Sequence, residues 1–86
     1  MKFKLKKSLF ELLKNNVSEA YEYLQDINEQ NEEVNFSVKG EDIQEVQLLI
    51  NDEIVLRGMD KQDTVNDLGL KLYKLYDEIL YQKNNQ

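Results

Sequence analysis

The chain has no cysteine, histidine, proline or tryptophan, and only three glycines among its 86 residues. Without cysteine there is no disulfide framework, thiolate nucleophile or thiolate metal site. Without histidine, the commonest metal ligand is missing, as is the side chain that titrates nearest neutral pH. Histidine-dependent triads and zinc sites of the Cys/His kind are therefore excluded. The opening MKFKLKKSLFELL looks superficially like a secretory signal, but Glu11 interrupts its apolar run and no small-residue cleavage site follows. No stretch approaches the ~20 apolar residues that span a bilayer. The expectation is one small acidic α+β domain over residues 1–86, cytoplasmic in a bacterial cell, with a composition that fits an AT-rich genome.

Positive charge is also scarce. The net charge of −6 argues against nucleic acid or an anionic membrane as a direct partner, since both reward Lys and Arg. The imbalance is local: residues 1–14 carry five lysines against Glu11, whereas residues 15–60 carry twelve acids against Lys39 and Arg57. Between Lys14 and Lys39 there is no basic side chain.

Periodicity divides the chain into three sections. Phe10, Leu13, Val17, Ala20, Leu24 and Ile27 recur at steps of three and four, predicting a helix over about 8–30. Ser8 is its expected N-cap, and Asn15-Asn16 marks a kink or a division into two shorter helices. Residues 34–58 switch to period two, with Val34, Phe36 and Val38, then Val46, Leu48 and Ile50, then Ile54 to Leu56. Turns at Gly40–Asp42 and Asn51–Glu53 make these a three-stranded antiparallel meander. Val65, Leu68, Leu72, Leu75 and Ile79 predict a final helix over about 63–82, capped by Asp63 or Thr64. The expected fold is α+β, helix–meander–helix (αβββα), with both helices on one sheet face and Leu24, Ile27, Leu48, Leu56, Leu72 and Leu75 buried together. Alternation of Phe3 and Leu5 among lysines adds a short N-terminal strand.

On the first predicted helix, Glu19, Glu22, Asp26, Glu29 and Glu33 fall on the outward face, beside Tyr23. A solvated face is the bland explanation, but exposed helices commonly mix signs, because like charges at i,i+4 cost ~0.2–0.5 kcal/mol per pair. These six residues are accordingly the candidate partner-binding surface, with Tyr23 as an anchor. The partner expected is a protein with a basic surface. Leu49 and Val55, on the outer face of the predicted sheet, form a second candidate surface, a patch for a homodimer. That gives the alternative reading: a small interaction module whose acidity serves only solubility. Asp60, Asp63 and Asp67 lack the EF-hand pattern, and Gly40, Gly58 and Gly69 form no phosphate loop. No catalytic residue, metal site or cofactor is expected, and the chain reads as a non-enzyme.

In size, charge and expected element order the chain resembles the small acidic proteins that phages make to block host nucleic-acid enzymes, such as DNA mimics and certain anti-CRISPR proteins. The likeness is one of architecture, without a motif that carries residues over. It implies an inhibitor encoded by a phage or mobile element, acting on a nucleic-acid-handling protein.

Overall fold

A computed structural model describes residues 1–60 and 64–86. In chain order the elements are β1 (Lys2–Lys6), α1 (Lys7–Asn16), α2 (Ser18–Tyr21), β2 (Gln25–Glu29), β3 (Glu33–Ser37), α3 (Ile43–Arg57) and α4 (Asp67–Asn84). The class is α+β, and the sheet is three-stranded and antiparallel, in the order β1-β3-β2.

Sequence alternation builds the sheet's apolar side. Phe3 and Leu5 of β1 stand opposite Phe36 and Val34 of β3, and all four are buried. The rings of Phe3 and Phe36 stack at 5.6 Å, and Phe10 of α1 closes on Phe36 from the helical layer at 6.1 Å. The short N-terminal strand is thus present, and β3 is the first strand of the period-two section. The break at Asn15-Asn16 is real as well: α1 ends at Asn16, and a one-turn α2 follows.

Elsewhere the elements depart from expectation. The helix predicted through residue 30 ends at Tyr21, and Gln25–Glu29 is a strand. Asp26 takes a φ of +52°, which ends any helical path there. The strands expected at 46–50 and 54–58 are instead one helix, α3, in which Ile43, Val46, Ile50 and Ile54 form the buried face. Leu48 and Leu56, expected inside, are 50% and 75% exposed, and Ile27 is 37% exposed. The pairs Val46/Ile50 and Ile50/Ile54 are four apart, a spacing that suits one helix face as well as one strand face.

Capping also differs. Ser8 caps nothing; α1 starts at Lys7, whose N–H donates to the Glu32 carbonyl at 2.8 Å. Asn66 is the N-cap of α4: its Oδ1 accepts from the Gly69 N–H at 2.8 Å. Its Nδ2 donates to the Arg57 carbonyl at 2.9 Å, tying the end of α3 to the start of α4. Thr64 instead donates its N–H to Asp60 Oδ1, and Asp63 lies outside the described residues.

Where α3 ends and α4 begins the two backbones approach closely, with a glycine on each side. A Cβ on Gly69 would lie 2.1 Å from the Gly58 carbonyl oxygen, and one on Gly58 would lie 2.8 Å from the Gly69 Cα. Leu72, Leu75 and Ile79 of α4 then meet Ile50 and Ile54 of α3 in a core that also takes Leu13, Ala20 and Leu24 from the first half of the chain.

Past the core, α4 runs along the free edge of β1. Gln82 Oε1 accepts from the Lys4 N–H at 2.9 Å while its Nε2 donates to the Lys4 carbonyl at 2.6 Å. Gln86 repeats this at Lys2, accepting from the N–H at 3.0 Å and donating to the carbonyl. Two side-chain amides thus make the bonds that a fourth strand would otherwise make.

Candidate functional surface

The carboxylates singled out in the sequence do not share a helix face. Glu19 is on α2, Glu22 follows its end, Asp26 and Glu29 are on β2, and Glu33 opens β3. All five are exposed. Their supposed i,i+4 repulsion is therefore absent, and so is the regular rise of charge that a single helix would give.

The structure sorts them into two groups. Glu33 lies at the tip of the β2–β3 hairpin, where it stands across from Lys6 of β1 and its carbonyl accepts from the Gln30 N–H at 2.8 Å. This end of the run has lysines beside it. Glu19, Glu22, Asp26 and Glu29 lie on α2, the exit turn and β2; Asp26 shares an open cleft with Lys2 of β1, and Glu19 shares one with Arg57 of α3.

Every residue of β2 is exposed. The strand places nothing in the core and, among the described strands, pairs only with β3, with a bulge at its centre: Asp26 and Ile27 together oppose the single Phe36. Ser37 fixes the bulge by donating its hydroxyl to Asp26 Oδ2 at 3.1 Å and to the Gln25 carbonyl at 3.3 Å. Two acids and a partly exposed isoleucine are therefore presented on an ordered frame. Tyr23 is half-buried against the core, which leaves only part of it for a partner.

The second candidate surface is relocated. Leu49 and Val55 are on α3, not on a sheet face; Leu49 is half-buried against the core, while Val55 is 59% exposed. Leu48, Val55 and Leu56 are exposed on the outer side of α3, with the exposed Asp52 among them, and sequence reading had assigned Leu48 and Leu56 to the interior. The signal that could have found this helix is the absence of any glycine or proline from residues 41 to 57, a stretch long for one strand and ordinary for a helix.

Among the described residues, no three acidic side chains converge as metal ligands would, and no helix is long and apolar enough to cross a membrane. Compared with known proteins, the chain matches no family model, no curated protein and no solved structure.

Proposed function

We propose that this chain is a non-enzymatic binding protein whose acidic surface, from α2 through β2, docks on a basic surface of another protein. The reading extends to a phage- or mobile-element-encoded inhibitor in a bacterial cytoplasm, acting on a nucleic-acid-handling protein whose Lys- and Arg-lined groove normally takes phosphates. The observation that carries it is β2, an ordered strand with all five side chains exposed, two of them acidic. Core packing does not account for such a strand, whereas a contact surface needs an ordered frame of this kind. Ile27, 37% exposed between Asp26 and Glu29, supplies an apolar centre for a charged rim.

The test is a combined variant, Glu19→Gln, Glu22→Gln, Asp26→Asn and Glu29→Gln. Asn at 26 still accepts from Ser37, so stability should stay within about 0.5 kcal/mol of the parent. A partner captured from a low-GC bacterial lysate should bind the variant more weakly, and with a flatter dependence on salt, because exposed charges steer association and are screened within ~8–10 Å. Equal binding at every salt concentration refutes the proposal.

One observation favours a second reading, homodimerisation through α3: Leu48, Val55 and Leu56 are exposed on its outer face. Leu48→Lys with Val55→Lys should then convert a dimer to a monomer. A parent protein that sediments as a monomer at high concentration removes this reading and leaves the first untouched.

A further inference from the structure

We infer that the free edge of β1, on the side of the sheet opposite β2, is a closed strand-addition site for an extended acidic peptide, with Gln82 and Gln86 as its gate. The glutamine amides occupy the N–H and carbonyl groups of Lys4 and Lys2. These are the outward groups of β1, because Phe3 and Leu5 alternate with them. An added strand would use the same groups, so peptide and glutamines compete for one set of bonds.

The gate is weakly held. Ile79 is the last buried residue of α4; beyond it Tyr81 is 66% exposed, Gln82 and Lys83 are half-buried, and residues 84–86 are exposed. What fixes this end is the glutamine bonds themselves and one from Lys83 Nζ to Gln47 Oε1 at 3.2 Å. Beyond Ile79 the only apolar burial is the half-buried Leu80, so the turn after it opens at low cost while Leu72, Leu75 and Ile79 stay in place. Toward the start of α4 the glutamine pattern stops, since one turn earlier residue 78 is Glu. An open cleft of about 700 Å³ lies there, lined by Lys4, Lys6, Lys74 and Glu78 among others.

Charge selects the occupant. Lys2, Lys4 and Lys6 are exposed on one face of β1; the cleft beside it is lined by Lys4, Lys6 and Lys74 against Glu33 and Glu78, so lysines outnumber acids there. Residues directly opposite in an added antiparallel strand would have Cβ atoms ~4.5–5.5 Å from theirs. Asp or Glu at alternate positions would pair with them. A second copy of β1 would set lysine against lysine, and so is disfavoured.

The experiment uses the full chain, labelled with ¹⁵N, and a synthetic seven-residue peptide with Glu at alternate positions and Val or Thr between them. A matching peptide with Lys in place of Glu is the control. The acidic peptide should shift the Lys2, Lys4 and Lys6 backbone amides and the side-chain amides of Gln82 and Gln86; the lysine peptide should not. In Gln82→Ala/Gln86→Ala the acidic peptide should bind about tenfold more tightly, because a larger fraction of the protein is open. If that variant does not fold, Gln86→Ala alone, at the exposed end, should give a gain of about threefold. Unchanged or weaker binding by a folded variant overturns the inference. So do shifts centred away from β1, or self-association of the open variant without peptide binding.

Discussion

Gly69→Ala should destabilise the protein, although a glycine-to-alanine change in a helix ordinarily does the reverse. Gly69 is in the first turn of α4, where alanine would contribute up to about 1 kcal/mol by propensity. Against this stands the Gly58 carbonyl oxygen, 2.1 Å from where the new Cβ would sit, with Val65 Cγ1 at 2.8 Å. Even the weak C–H···O contacts of proteins keep carbon and oxygen ~3.3 Å apart, so backbone must move by about 1 Å. Overpacking of this kind costs about 1–3 kcal/mol. The same movement strains the hydrogen bond from the Asn66 N–H to the Gly58 carbonyl, now 2.9 Å, which adds about 1 kcal/mol. The net loss is about 1–3 kcal/mol, and at ~4–8 °C per kcal/mol for a domain of this size Tm should fall by about 5–20 °C. Gly40→Ala is the internal control. Nothing lies within 4 Å of its added methyl, and the described glycines have no positive φ. It should raise stability by about 0.4–1 kcal/mol through the unfolded chain. Thermal melts followed by circular dichroism read both. A Gly69→Ala protein that melts at or above the parent refutes the close approach of α3 and α4.

Leu72→Ala and Leu75→Ala, both in the closed core, should each cost about 2–5 kcal/mol in urea melts, whereas Leu56→Ala should stay within about 0.5 kcal/mol. Comparable losses at all three would place the outer face of α3 inside. Asn66→Ala should lose about 1–2 kcal/mol, as both the α4 cap and the bond to the Arg57 carbonyl disappear. Asn66→Asp retains the cap acceptor but not the donor, so chemical denaturation should place it between Ala and the parent.

Residues with one packed face and one wet face were legible in the sequence. β1 and β3 alternate cleanly, and the stripe Leu72, Leu75, Ile79 of α4 is at helical spacing, so their types follow from pattern alone. α3 was not legible because it is apolar on two sides. Its buried Val46, Ile50 and Ile54 and its exposed Leu48 and Leu56 interleave into a strand-like alternation, and the exposed Asn51-Asp52 looks like a turn. β2 gave no signal for the opposite reason: it buries nothing, so no periodicity records it. The candidate acidic residues were correctly read as exposed, but their arrangement depended on a helix that stops at Tyr21. The glutamine bonds to β1 link positions 78 and 84 residues apart, a separation at which no local pattern operates.

The pairing of α4 with β1 sets two rulers of different graduation side by side. Successive marks on the helix, four residues apart, are about 6 Å apart. Successive marks on the strand, two residues apart, are about 6.6 Å apart. The scales agree for two consecutive marks, Gln82 on the helix with Lys4 and Gln86, just past the C-cap Asn85, with Lys2. By the third mark the error has accumulated to more than 1 Å, larger than the spread of ordinary hydrogen-bond lengths. A helix end and the residues just past it can therefore imitate a strand over two rungs but not along a whole sheet edge. The residue at the third mark is released from that duty, and it is Glu78, facing the cleft with Lys6 and Lys74. A longer β1 could not be closed in this way, so the length of the strand and the reach of its helical imitation are fitted to each other.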